Sequence, residues 1–363
     1  MESTASPSAL SSGSLSAKAV GAFPPRSTYI AGSAYDRFFF IFSPLLALVL
    51  AIAGSFTPLA QEKFLLYGRK ESLMSLFSGV FTMAHLFIVF FRSHANPAIF
   101  KKHPARFLAL PILLFAAMAL SSWVLVFIFV LAVWWDVYHS SLQTFGLGRI
   151  YDAKVGNDPV PGRSLDRGLN LLLYVGPILG GLSLAGHVVH FNRFSEVGTP
   201  ALARIPFYVL SSQQVILTVL IGAGVPYLAY YLLSYHKLAK QGYRVSWNKT
   251  FLLFSTAICS IYAWGWNPFG QAFFIMNFFH ALQYFALVWW AEKENIQKLF
   301  FLHRIRFGAP LAAMLFVLVG MGYGLWAKLF GESHHLAFSL LLTVSIMHFW
   351  YDGFVWSVRR REV

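Results

Sequence analysis

The sequence predicts an all-α, polytopic integral membrane bundle of about ten transmembrane helices with both termini in the cytoplasm. Three observations lead there. The 363 residues are 57% hydrophobic and only 12% charged, against roughly a quarter charged in soluble domains. Apolar windows of about 18 to 25 residues recur along the chain, the length a helix needs to cross a hydrocarbon core roughly 30 Å thick. The basic residues also cluster on alternate sides of those windows.

Residues 1–34 are rich in Ser, Ala, Gly and Pro and lack an apolar run, so they read as a disordered tail. A Ser-rich transit peptide is the alternative reading of this segment. The membrane domain is expected over 35–363. Its apolar windows fall near 36–56, 73–92, 106–121, 123–148, 168–186, 210–234, 249–266, 269–292, 309–329 and 336–358. The stretch from Phe107 to Gln143 is too long for one crossing, and Ser121-Ser122 is the economical place to turn. The single cysteine, Cys259, lies inside a window, so neither a disulfide framework nor a Cys-based metal cluster is available. No repeat, Walker or GxGxxG pattern is present.

With an inside start, the N-tail, the loops after the even-numbered helices and the C-tail share one side. Of the 28 Lys and Arg residues, all but Lys63, Arg69, Lys70, Arg193, Arg204 and Lys328 fall there. By the positive-inside rule that side is cytoplasmic, with a bacterial inner membrane the expected bilayer. The net charge of +14 then reports topology and interaction with membrane lipids, and no nucleic-acid partner is expected.

An ionisable side chain at membrane depth costs several kcal/mol unless it is paired, hydrated or ligated. Four histidines stand there: His85, His139, His280 and His348. They precede the first cytoplasmic basic residue of their helix, Arg92, Arg149, Lys293 and Arg359, by 7, 10, 13 and 11 residues. At 1.5 Å per residue their depths agree within about 9 Å. Each also has polar company at helical spacing. Asp136 and Gln143 flank His139, Asn277 and Gln283 flank His280, Asp352 follows His348 by one turn, and Thr82 precedes His85.

Polar residues of this kind also tie helices together by hydrogen bonds, but four at one depth with two carboxylates point to a shared site. Three chemistries compete for it. Imidazoles with carboxylates suit non-haem iron in an oxygenase or oxidase, with positions open to dioxygen. Two facing imidazoles would hold a haem in an electron carrier. A His and Asp chain without metal would relay protons in a transporter. Four ligand-type histidines favour the first, with Asp136 and Asp352 as added ligands or orienting groups, and with Gln143, Gln283 and Asn277 positioning substrate or oxygen. The partners expected are a lipid-soluble small molecule, dioxygen and an electron donor. Trp134, Trp135, Tyr138, Tyr284, Trp289, Trp290, Trp350 and Tyr351 lie within a few turns of the histidines, as lipid-belt residues or as walls for a flat apolar substrate. Outside this layer, His187, His190, His334 and His335 form a second candidate cluster, for zinc or copper.

In the last window, His348-Phe349-x-x-Asp352 resembles the His-Phe-x-x-Asp pattern of the Brp/Blh family of membrane β-carotene dioxygenases. The resemblance covers one helix. It implies a polytopic helical fold, iron held by histidines from separate helices, oxidative attack on a lipid-soluble substrate, and His348 as an iron ligand. The HxxxH and HxxHH boxes of membrane desaturases and hydroxylases are absent from the sequence.

Overall fold

The computed structural model describes residues 28–356. Most of the 1–34 tail, and Arg359, Arg360 and Arg361 in the expected C-tail, lie outside the described residues. The part of the tail that is described is tied down. The Asp36 carboxylate accepts the backbone N–H groups of Ile30, Ala31 and Gly32 at 2.6, 2.9 and 3.2 Å and the Tyr151 hydroxyl at 3.0 Å. Ile30 is buried beneath them.

Ten α-helices of 13 residues or more are present among the described residues: α1 (Ser43–Ser55), α2 (Leu73–Arg92), α3 (Pro104–Leu120), α4 (Ser122–Lys154), α5 (Arg163–Gly180), α6 (Gln213–Lys240), α7 (Trp247–Ser260), α8 (Phe269–Leu299), α9 (Gly308–Phe330) and α10 (His335–Val355). Six of them, α2, α4, α6, α8, α9 and α10, are long and apolar enough to cross a membrane. The number rises to eight if two bent pairs each count as one span: Ser33–Ile41 with α1, bent 56°, and α5 with Leu184–Val197, bent 96°. α3 is a shorter apolar helix of 17 residues, and α7 has 14 before it passes into a π turn, Ile261–Gly265. The protein is thus a multi-pass, almost wholly helical membrane protein.

Local sequence explains the ends and bends. Ser72 caps α2, its hydroxyl accepting from the Ser75 N–H at 3.1 Å, and Ser121 caps α4 the same way through Val124. The α3–α4 turn therefore falls at the Ser121-Ser122 pair. Pro44 at the start of α1 cannot donate an amide, and the preceding turn, Arg37–Ile41, is a π turn closed by Phe42 N–H to Arg37 C=O at 3.0 Å. A π turn leaves a carbonyl outside the regular ladder, and that of Phe40 accepts from the Gln283 amide at 2.9 Å. At Gly181 a Cβ would sit 2.3 Å from the Pro177 carbonyl and 2.4 Å from that of Trp264. Only glycine lets the broken span turn against the π turn after α7. Between α1 and α2 a two-stranded hairpin, β1 (Phe64–Leu66) with β2 (Arg69–Glu71), departs from the all-α expectation. Its turn places Tyr67 and Gly68 at φ of 47° and 80°, the left-handed pair that a two-residue hairpin loop requires.

α8 is the centre of the bundle: 78% of its apolar window is buried, against 6% for α6. On α6, Val215, Val219, Ile221, Val225, Leu228 and Leu232 are all exposed, a continuous apolar face that only lipid covers at low cost. The main core gathers α2, α8, α9 and α10 around Phe91, Phe285, Phe316 and Tyr351. α2 and α9 meet at backbone distance. Gly320 and Gly324 lie four apart on α9, and a Cβ at Gly324 would fall 2.1 Å from the Val80 carbonyl and 2.9 Å from the Ala84 nitrogen. Small residues at this spacing let membrane helices approach closely, and the approach fixes the helix that carries His85.

Candidate metal centre

Four helices supply one histidine each: His85 from α2, His139 from α4, His280 from α8 and His348 from α10. All four are between 0 and 4% exposed. Their rings close a cycle. Centroid separations are 5.0 Å from His85 to His348, 4.7 Å to His139, 5.1 Å to His280 and 4.9 Å back to His85. Every pair meets at a steep angle, 68° to 88°.

Within the cycle two groups of ligand atoms converge, each within 4.8 Å: those of His85, His280 and His348, and those of His139, His348 and Asp352. His348 belongs to both. The His139 and His348 Nε2 atoms are 3.1 Å apart, and Asp352 Oδ2 lies 3.7 and 3.9 Å from them. The other carboxylate oxygen is committed elsewhere. Asp352 Oδ1 accepts the Tyr284 hydroxyl at 2.7 Å and the Trp356 indole N–H at 3.1 Å, which turns Oδ2 toward the imidazoles.

The hydrogen bonding around these rings is incomplete in a telling way. His85 donates its Nδ1–H to the Thr82 carbonyl, which leaves Nε2 unprotonated. That Nε2 is buried and has no hydrogen-bond partner, and neither ring nitrogen of His280 has one. Leaving a buried polar atom unpaired costs about 1–3 kcal/mol, and native folds rarely do so without a reason. A cation held by these nitrogens would supply one, and a carbonyl that fixes the tautomer of a ligating imidazole is the usual outer support of such a site.

The remaining expected residues are distributed unequally. Gln143 lies against the site: its amide nitrogen donates to the His280 carbonyl and to Gln283 Oε1, both at 3.0 Å, while its own oxygen is buried without a partner. Gln283 is a brace that ties α8 to Phe40 and Ser43. Asn277 bonds back to the Phe273 carbonyl of its own helix at 3.2 Å, and its oxygen is unpartnered. Asp136 belongs to neither ligand group. Three residues before His139 its side chain is rotated about 60° around the helix, close enough to Tyr174 of α5 to interact with it electrostatically. The second histidine cluster does not assemble as a ligand group among the described residues. His187 pairs with the Ser183 carbonyl and His335 with that of Met118, while His190 packs on Phe129 and Phe269.

Three groups outside the expected set complete the surroundings. Tyr284 and Trp356 hold Asp352, and Tyr284 follows His280 by four residues, a spacing that marks it as a neighbour on the same face. Behind Trp356, the Arg92 guanidinium stacks on its ring at 4.5 Å and pairs with Glu292 at 2.5 Å. On the far side, Arg149 and Lys249 both bond the carboxylates of Asp152 and Asp166 at 2.7 to 2.8 Å. Arg92, Arg149 and Lys249 read in sequence as orienting charges, but they are buried in these networks. A cavity of about 590 Å³ opens beside the centre, bounded there by His139, Gln143, Tyr284 and Asp352.

Comparison with protein-family models, with curated proteins and with solved structures gave no match.

Proposed function

We propose that the protein is a membrane-embedded, metal-dependent oxidoreductase: a non-haem iron oxygenase or oxidase that acts on a lipid-soluble substrate. The observation that carries this reading is the convergence of four buried imidazoles with partnerless nitrogens on His85 and His280. His85, His139, His280 and His348 hold the metal, and Asp352 joins them or steadies them. The two ligand groups joined through His348 suit one ion or a close pair. Iron with imidazole and carboxylate donors supplies dioxygen chemistry at positions the protein leaves open. The protein's part is to hold the donors, to keep bulk water away and to admit an apolar molecule past Gln143. The resemblance of His348-Phe349-x-x-Asp352 to the Brp/Blh dioxygenases points the same way.

A bacterial inner membrane, crossed ten times with both termini inside, is the topology this reading adopts. It is supported by the charge asymmetry and by the pairing of Lys328, at the end of α9, with Glu71, just before α2, at 2.7 Å. Both fall on the expected outer side. Reporter fusions at residues 68 and 331 should mark the outside, and a fusion at residue 241 the inside.

The haem alternative finds less support, because a macrocycle must lie between its two axial imidazoles and these rings are in mutual edge-to-face contact. A proton-coupled transporter draws on the His139–His348–Asp352 chain. Elemental analysis and an absorption spectrum of the detergent-purified protein decide among the three, with H85A/H139A/H280A/H348A as control. The expected result is near-stoichiometric iron without a Soret band, lost in the control. A Soret band would turn the assignment to an electron carrier. No metal after reducing preparation with added iron would overturn the oxidoreductase reading in favour of the relay, then tested by uptake into proteoliposomes under a pH gradient.

A further inference from the structure

The cavity beside the histidine centre changes character along its length. His139 and Arg149 both line it, and the ten-residue step along α4 from one to the other spans about 15 Å. At the His139 end stand the Tyr284 and Asp352 side chains, the middle is walled by Leu142, Phe145 and Leu287, and at the other end come Arg149, Arg163 and Arg167.

The three arginines are not equivalent. Arg149 is buried and already committed: it bonds Asp152, Asp166 and the carbonyls of Pro159 and Pro161. Because Lys249 shares the same two carboxylates, those four charges cancel. Arg163 and Arg167 are exposed. Among the described residues neither side chain has an ion pair or a hydrogen bond, and the Arg163 guanidinium lies over the Phe145 ring at 5.9 Å. Asp158, the acid of the same loop, accepts the Val160 N–H through Oδ1. Two guanidinium groups against one carboxylate leave the rim net positive where an apolar chamber meets water.

The geometry points to an amphipathic anion as the occupant, with its carboxylate or phosphate on Arg163 and Arg167 and its apolar body in the chamber. Its reacting atom then lies at the histidine end, across the chamber from its charged group. A neutral hydrocarbon would be served by the aromatic and aliphatic walls alone and has no use for the rim. The anion site stands on the cavity and its charges. The statement about the reacting atom rests on the oxidoreductase reading above.

The test uses the full chain in phosphatidylcholine nanodiscs, with dibromostearate and its methyl ester as probes compared at equal bilayer mole fraction. Bromine quenches indole fluorescence, and Trp135, Trp350 and Trp356 line the cavity. The acid should bind about tenfold more tightly than the ester, the preference should shrink with added salt, and R163Q/R167Q should abolish it while leaving ester binding unchanged. Displacement of the acid by phosphatidylglycerol would assign the site to a phospholipid head group, and no displacement to a free lipid acid; both keep the anion site. Equal binding of acid and ester, or a preference that survives R163Q/R167Q, overturns it. Iron is assayed in the same samples. Anion preference without iron removes only the oxidoreductase reading, and iron without anion preference removes only this inference.

Discussion

Replacing Tyr284 by Phe removes one oxygen atom from a residue that is 1% exposed and leaves the ring in place. The oxygen lost is the 2.7 Å donor to Asp352 Oδ1, after which only the Trp356 indole, at 3.1 Å, restrains that carboxylate. Hydrogen bonds to charged groups contribute about 1.5–3 kcal/mol. Without this one the carboxylate is free to rotate, and Oδ2 leaves its position 3.7 Å from His139 and 3.9 Å from His348. At 1.4 kcal/mol per decade, iron binding should weaken roughly 10- to 100-fold. Chelator competition on the purified protein measures it directly, and thermal unfolding of the metal-free form controls for a general loss of packing. Because Tyr284 acts through Asp352, Tyr284→Phe should cost little further in an Asp352→Asn background. Wild-type affinity in Tyr284→Phe, or full additivity of the two changes, would refute the role assigned to the pair.

Three further outcomes follow from the packing and the buried charges. Gly324→Ala places a methyl against the Val80 carbonyl and should cost about 1–3 kcal/mol, with reduced iron content because α2 carries His85; an unchanged unfolding temperature with full iron would count against the close helix contact. Glu292→Gln removes the buried carboxylate that pairs with Arg92 and is also bonded by Asn96 and Asn295, and should destabilise the protein by about 3–5 kcal/mol, part of which Arg92→Leu in the same chain should restore. Burial holds His94, in the loop after α2, below its usual value of 6.5, against a smaller opposing effect of its bond to the Phe107 carbonyl. Its unfolded form therefore takes up a proton that the folded form does not, so stability is lost as pH falls below about 6.5, and the loss between neutral and mildly acid pH should be smaller in His94→Gln. Equal losses in both proteins would exclude His94 as the cause.

The four histidines were legible in the sequence because an imidazole in an apolar window is expensive, and a costly residue at a repeated depth has a shared reason to be there. Counting along each helix places a residue on the membrane normal but says little about which way its side chain points. That is why Asp136 and Asp352, equally suspicious in sequence, separate in the fold: one follows its histidine by a full turn and meets the cluster, the other precedes its histidine by three and turns toward α5. Gln283 was expected at the chemistry and instead braces a π turn, a feature that leaves no periodic trace in the sequence. The hairpin at 64–71 is too short to stand out from the loop around it. Tyr284 reads as one aromatic among many until Asp352 is found opposite it. Arg149 and Lys249 look like ordinary loop charges because the carboxylate that joins them across the fold, Asp166, comes from another segment.

The cycle of imidazoles also has a consequence for how the protein is made. Its members lie at positions 85, 139, 280 and 348, so the donor set is incomplete until α10, the most C-terminal of the described helices, has been synthesised and docked. Before that the growing chain offers at most three of the four rings, and a cation captured early would lack both His348, the donor common to the two groups, and Asp352. Binding of the proposed ion to the full donor set would therefore follow the docking of α10. An ion of the kind proposed, binding only the bundle in which all four donor helices have docked, would stabilise that bundle by mass action.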